Sequence, residues 1–260
     1  MPFVRAPPRG ERRPHTKRQY LRAPLFSHPR LRRAVNYAID RPALVAQGHR
    51  FSDWGPFNPG VAIDDYLPPS IDGAEDFHVY PANGPDLTRA KRLAGRLDTT
   101  AIMYTPNVPP WLQETQIVKR DLKPLGIDVE VKEFSVYDYF RRIGLPNEPF
   151  DLALAGWWLL SRDPGQALDI FDSSATFGTG SGVPHFNDPA FNRSLAAATK
   201  LSGTKRDRAY GRIALRLERR EAPAAAVATA ASHDFFSARI GFQVYQPVFG
   251  MDLAALCLRE

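Results

Sequence analysis

The feature that most constrains this chain is the apolar run F-D-L-A-L-A-G-W-W-L-L from Phe150, closed abruptly by Ser161-Arg162-Asp163-Pro164. A short continuous apolar run bounded by turn residues predicts a strand over Phe150–Trp158, buried on both faces as in a parallel sheet. Counted from Leu152 it is too short to cross a bilayer, which takes about 20 residues. Two adjacent tryptophans each carry an indole N–H that needs a partner when buried. Trp157 and Trp158 therefore fit best where a strand leaves its sheet and meets a cleft, the end of an open α/β sheet where ligands sit. They read equally well as core.

Composition sets the outer bounds. A chain of 260 residues is long enough for one large or two small domains with ample core. Its 24 prolines concentrate in loops and at the amino terminus, which predicts long ordered connections. The formal net charge of +6 suggests a nucleic-acid footprint until its distribution is read. Residues 1–33 hold ten Lys/Arg against the single acid Glu11, leaving 24 basic and 27 acidic side chains in the rest. The basicity belongs to a tail, and the body is mildly acidic. Cys257 is the only cysteine, which excludes an intrachain disulfide and a cysteine metal cluster. Met1–Gln19 has positive charges but no apolar core of a secretory signal, and no segment qualifies as a transmembrane helix. Taken at face value, the chain is expected to stay where it is made.

Residues 1–18 have almost no apolar pattern and read as a disordered basic arm. Tyr20-Leu21 suggests a short strand. Ser27 and Pro29 announce a helix that places Leu31, Val35, Ala38 and Ile39 on one face, opposite Arg32 and Arg33. Asp40 caps a second short helix with Pro42 in its first turn, and Asp40-Arg41 reads as a structural cap and ion pair. Residues 48–85 form a long Pro/Gly-rich excursion whose aromatics predict packing over a surface. A helix over Asp86–Ala94 is stopped by Gly95, and a strand is expected at Thr100–Tyr104. A helix over Pro109–Leu125 ends at Gly126, and a half-exposed strand covers Ile127–Phe134. Ser135 caps a helix over Val136–Ile143, ahead of the buried strand. Strand, helix, strand, helix, strand at this spacing predicts parallel crossovers. Beyond it come helices from Asp188-Pro189 and Lys205, a small-residue strand at Ala224–Ala231, and short strands at most after Phe235.

Several of these pieces together resemble family 5 of the bacterial extracytoplasmic solute-binding proteins, the oligopeptide and dipeptide binders of ABC importers. The most specific is P-L-F-S-H-P-R-L-R-R-A-V-N-Y-A-I-D-R, Pro24–Arg41. In the family's order follow Leu67-Pro68-Pro69, the helix from Asp86, Gly126-Ile127-Asp128-Val129, and F-D-L-A-L-A-G-W. The paired helices after Asn187-Asp188-Pro189, ending in Glu221-Ala222-Pro223, complete the series. The resemblance implies one lobe of a type II periplasmic-binding-protein clamshell, an α/β fold with a parallel-rich sheet flanked by helices. Members are roughly twice as long and carry a secretion signal, so it further implies the carboxyl half of such a protein. On that basis 1–18 is the arm, 19–222 the lobe, and 223–260 a segment that would return to the missing lobe.

The implied function is solute binding for an importer of peptides or other polar organic solutes, with permease subunits as partners. The intact family member is extracytoplasmic, in the periplasm or at the cell surface. Peptide binders place an acid three residues after the tryptophan to meet the peptide's α-amino group; here that position is Leu160. Leucine makes no charge-assisted hydrogen bond. Asp163 stands in part for the missing acid or simply forms the turn, and Arg162 suits a carboxylate or phosphate. The ligand-binding candidates are thus Trp157, Trp158, Leu160, Arg162 and Asp163. Enzymatic readings lack support, because there is no nucleophile elbow and the six histidines show no pair at metal-ligand spacing. The run Gly178-Thr179-Gly180-Ser181-Gly182 lacks the lysine of a phosphate loop. No catalytic residue, metal or cofactor is expected. An alternative is a nucleic-acid- or anionic-membrane-interacting α/β module working through the basic arm, although the acidic body argues against nucleic acid.

Overall fold

The computed structural model describes residues 2–4, 25–49, 58–145, 148–156, 159, 161–173, 186–231, 237–242, 244–246 and 250–259. In chain order its first elements are β1 (Pro2–Val4), α1 (Pro29–Ala38), α2 (Arg41–His49), β2 (Asn58–Ala62) and α3 (Leu87–Ala94). Then come β3 (Thr99–Pro106), α4 (Trp111–Leu122), β4 (Ile127–Phe134), α5 (Val136–Ile143) and β5 (Leu152–Leu154). The second half holds α6 (Pro164–Asp169), α7 (Pro189–Ala198), α8 (Gly203–Arg220) and β6 (Ala228–Ala231). Four short strands close the chain, β7 (Ile240–Phe242), β8 (Tyr245–Gln246), β9 (Gly250–Met251) and β10 (Cys257–Leu258).

The central sheet has the order β1-β5-β3-β4. β3 and β4 run parallel from Thr99↔Ile127 to Pro106↔Phe134, and β5 is parallel to β3 through Met103↔Leu152 and Tyr104↔Ala153. The expected parallel β-α-β-α-β order is therefore present. Pro2–Val4, assigned from sequence to the disordered arm, instead adds an antiparallel edge strand to β5, with Phe3 opposite Ala153. An apolar Phe-Val pair suits an extended conformation and pairs the otherwise open edge of β5.

Successive residues of these strands face opposite layers, as pleating requires. Met103, Leu152 and Leu154 join a core formed with Ala34, Val35, Val118 and Leu122 of α1 and α4. Tyr104 and Ala153 join a second one with Phe150, Tyr139 and Ile143. The strand is buried on both faces, as the apolar run predicts, but it spans only Leu152–Leu154 rather than Phe150–Trp158. A third core gathers Tyr66, Leu67, Leu168, Phe171, Phe191, Tyr210 and Leu217 under α6, α7 and α8.

Helix boundaries follow local chemistry. Asp86 accepts the Arg89 N–H at 2.8 Å at the start of α3, and Ser135 accepts the Asp138 N–H at 3.1 Å at the start of α5. After α4, a 3-10 turn over Lys123–Leu125 stops at Gly126, whose φ is 77°. The proline-rich excursion contains β2, which pairs antiparallel with β6, and its Ile63, Tyr66, Leu67, Ile71 and Tyr80 are buried. The packed reading of that segment holds, with a strand the sequence did not reveal.

Two arginines depart from their expected places. Arg32, placed from sequence on the solvent face of α1, is buried, donating to Phe26 O (2.9 Å), Ser27 O (3.0 Å) and Glu221 O (2.6 Å) and pairing with Glu221 Oε2 (3.2 Å). Arg41 is buried as well; its guanidinium reaches the carbonyls of Ile63, Ala226, Asn36 and Pro81 at 2.7 to 3.1 Å. It is thus no partner of Asp40, which pairs with Arg120 at 3.1 Å and accepts the Ala43 N–H as the α2 cap. A buried guanidinium is tolerable only when its donors are met. Burial lowers the Arg41 pKa to about 10, against the opposing charge of Asp64. Ala222, Ala224, Ala225 and Ala226 are fully buried, so the boundary drawn from sequence after 222 falls inside a packed segment of the body.

Candidate functional site

The carboxyl end of β5 is where the sequence locates its site, and three layers of structure hold it. Ala155 is buried, and Gly156 emerges to solvent. The Tyr139 hydroxyl donates to the Leu154 carbonyl, tying the last strand residue to α5. Burial raises the Tyr139 pKa, so the phenol stays a donor. Around it the rings of Tyr104 and Phe150 stack at 5.0 Å, Tyr104 and Phe134 at 4.8 Å, and Trp111 and Tyr139 at 5.8 Å. These tilted and edge-on contacts make a stiff floor under the strand end. Sequence reasoning missed Tyr139; the signal was there in the i, i+4 pair Tyr139 and Ile143 of an amphipathic α5.

Trp157, Trp158 and Leu160 lie outside the described residues, as do the glycine run 178–182, Tyr20-Leu21 and the arm beyond Val4. Leu159 packs on the α6–α8 core. Arg162 is exposed; its guanidinium pairs with Asp72 Oδ1 at 3.1 Å, and its carbonyl accepts the Asp72 N–H at 3.2 Å. Asp163 Oδ1 accepts the Gly165 N–H at 2.7 Å, capping α6, and meets Arg206 of α8 at 2.9 Å. Burial alone would raise its pKa, but the Arg206 hydrogen bond and the Gly165 N–H outweigh that and hold the carboxyl below its ordinary value. Arg206 in turn lies over the Tyr210 ring at 4.7 Å. The structure therefore brings Arg162 and Asp163 to one turn and engages both. Asp72 and Arg206, their partners across 90 and 43 residues of sequence, were not legible from spacing.

A second group of ionisable side chains lies between the β2–α3 excursion and α8. Asp64, Asp76 and His78 place one donor atom each within 4.8 Å of one another, with His78 Nδ1 and Asp76 Oδ1 2.9 Å apart. A search for paired histidines could not find this mixed group. Asp64 Oδ2 already accepts the Tyr80 N–H at 2.7 Å, and Asp76 and His78 are exposed. Behind them, burial pushes Asp65 up to about 6, with Asp64 adding to the shift and a hydrogen bond from Glu218 opposing it. Burial likewise raises Glu218. Among the described residues no helix is long and apolar enough to cross a membrane.

A parallel α/β sheet with helices on both faces, whose central strand opens at an aromatic-floored edge, defines a lobe of the type II periplasmic-binding-protein kind. Solved structures share it. HbpA2 from Haemophilus parasuis superposes with a TM-score of 0.72 at 19% identity, covering 91% of this chain and 46% of that one. A dipeptide binding protein from Pseudoalteromonas sp. SM9913, in complex with Met-Leu, gives 0.70 at 20% identity over 90% and 46%. The periplasmic binding protein DppA from Helicobacter pylori, in complex with peptide STSA, gives 0.68 at 21% identity over 100% and 47%. The chain thus spans less than half the length of each. No curated protein matches the sequence. Residues 14–179 match the model of the bacterial extracellular solute-binding proteins, family 5 Middle, and the chain belongs to that family.

Proposed function

We propose that this chain supplies one solute-binding lobe for an ABC-type importer, and that the solute, a peptide or another polar organic molecule, sits at the carboxyl end of β5. The observation that carries this reading is the strand itself. It is buried on both faces, is latched by Tyr139, and opens at exposed Gly156 directly before Trp157. The structural neighbours with peptides bound support the solute class. Trp157 and Trp158 are the aromatic groups proposed to stack on the solute. Leu160, at the position where peptide binders place an acid, carries no charge for a peptide's α-amino group. Arg162, whose side chain among the described residues pairs with exposed Asp72, is offered to a carboxylate, whereas Asp163 chiefly holds the turn. Binding stabilises a closed state in which a second lobe covers the solute, the setting in which permease subunits engage it outside the cytoplasm.

Calorimetry with di- to pentapeptides tests this. The 260-residue chain is expected to bind weakly, with Kd above about 10 μM, because half the contact surface is contributed elsewhere. Amino-acetylated peptides are expected to bind as well as free ones, since Leu160 offers no charge to the α-amino group. Sub-micromolar binding by this chain alone overturns the one-lobe account. A strong preference for a free amino terminus overturns the reading of Leu160.

A further inference from the structure

Away from β5, α7 and α8 pack with a groove of about 550 Å³ between them. Its floor is apolar, with Ala197, Leu201 and Ile213 contributing surface that is exposed or half-exposed. Along one rim stand Arg212, Arg216 and Arg220, each four residues after the last on α8 and each exposed. None of the three forms an ion pair with a described residue. The two acids at the groove are committed: Asp188 Oδ1 caps α7 through the Ala190 N–H at 2.9 Å, and Glu221 pairs with Arg32 at 3.2 Å. An apolar seam without a partner among the described residues, beside a row of guanidinium groups that no described acid neutralises, is a surface lacking its complement.

We propose that this groove receives an acidic amphipathic helix of a partner protein. The spacing decides among anionic occupants. Residues four apart rise about 6 Å per step along a helix, so the three guanidinium groups form a row about 12 Å long. A helix with Asp or Glu at i, i+4 and i+8 repeats that spacing and lays its apolar stripe in the groove, and each guanidinium can take a carboxylate in a two-pronged pair. A single-headed anionic amphiphile satisfies one arginine only. A flat bilayer does not enter a concavity between helices, and a phosphate chain has no use for an apolar floor. No described helix of this chain carries three acids at that spacing, so a second copy does not supply the occupant.

The probe is a helix-stabilised peptide of about five turns with three glutamates four residues apart and leucines on the adjoining stripe. Fluorescence anisotropy with the full chain is expected to give a Kd of about 1–100 μM that weakens as salt rises. Arg212→Glu with Arg216→Glu is expected to weaken binding tenfold or more and to recover it with a peptide carrying lysines for glutamates. Ala197→Trp, which fills the floor, is expected to abolish binding while far-UV circular dichroism stays unchanged. Absent binding, equal binding of a scrambled peptide, or an unaffected charge-reversed variant overturns the proposal. So does stronger capture by phosphatidylglycerol vesicles or heparin, which would make a lipid surface or a generic polyanion the occupant. Peptide solutes at β5 are measured separately, so failure of one reading leaves the other standing.

Discussion

Tyr139 shows how a single side chain sets the geometry of the candidate site. Its hydroxyl is the link between α5 and the last residue of β5, and it sits where no water replaces it. Tyr139→Phe leaves the Leu154 carbonyl short of a donor in the interior, which costs about 1–3 kcal/mol. For a chain of this size that lowers Tm by about 3–10 °C in a thermal melt. Asp65 gives a prediction with a pH sign. Its folded pKa of about 6, raised by burial first and Asp64 second, stands above the ordinary 3.8. Between those values the folded chain holds a proton that the unfolded chain has released. Asp65 therefore contributes a loss of stability as pH rises from about 4 to about 6, and that loss persists above. Facing it are the acids Asp64, Glu218 and Asp76, with His78 and the guanidinium of Arg41 as the opposing cations. Asp65→Asn is neutral throughout, so its Tm is expected to match the parent near pH 4 and exceed it by a few degrees near pH 8. A parent curve lying above the variant at pH 8 would contradict this assignment.

At the scale of elements, joints between helix and strand discriminate between glycines that look alike in sequence. Gly95 and Gly126 both follow a helix with positive φ, 73° and 77°. A Cβ at Gly95 meets nothing within 4 Å, whereas one at Gly126 would lie 2.0 Å from the Leu97 carbonyl oxygen. Gly95→Ala is expected to cost about 1–3 kcal/mol, the penalty for a side chain at φ 73° and ψ −157°, a backbone region open essentially only to glycine. Gly126→Ala must also displace backbone and is expected to cost clearly more, about 3 kcal/mol or beyond, in urea denaturation. Both glycines were legible as helix stops, because capping chemistry is local and fixed by spacing. For the same reason the α3, β4 and α5 boundaries were read from sequence almost to the residue, while α4 is shorter than expected and passes into a 3-10 turn over Lys123–Leu125. The contrast between Gly95 and Gly126 was not legible, since it depends on which chain segment passes nearby. Arg32 and Arg41 fail in sequence for that reason too. Their periodicity marks a polar face, but their acceptors come from carbonyls up to 189 and 185 residues away. The burial of β5 on both faces was legible because a short continuous apolar run signals it by composition alone. The turn that engages Arg162 and Asp163 through Asp72 and Arg206 was not.

For the whole molecule, those two arginines determine where the lobe ends. Arg32 binds Glu221, and Arg41 and Asn36 bind the carbonyls of Ala226 and Ala224. The Tyr66 hydroxyl also donates to Ala224 O, at 2.7 Å. The segment from Ala222 to Val227 therefore passes between the α1–α4 core and the α6–α8 core, and its alanines belong to both. Small side chains at these positions let the backbone come close enough for Ala226 O to accept from the buried Arg41 guanidinium and Ala224 O from Asn36 and Tyr66. Beyond it, β6 pairs with β2, whereas the described side chains of β7 and β10 are mostly exposed. Ending the chain after Glu221 strips Arg41 of the Ala226 carbonyl and leaves a buried cation short of acceptors, at a cost of several kcal/mol on top of the lost apolar contacts. Total stabilities of about 5–15 kcal/mol cannot absorb that. A chain ending at Ala231 retains every one of these acceptors and the β2–β6 pairing. The chain ending at Ala231 is thus expected to melt cooperatively with native-like circular dichroism, and the one ending at Glu221 to be unfolded at 25 °C. If the chain ending at Glu221 folds with an unchanged melting temperature, the buried arginines do not anchor the lobe. The 223–260 segment would then be an appendage returning to another lobe, as its sequence alone suggests.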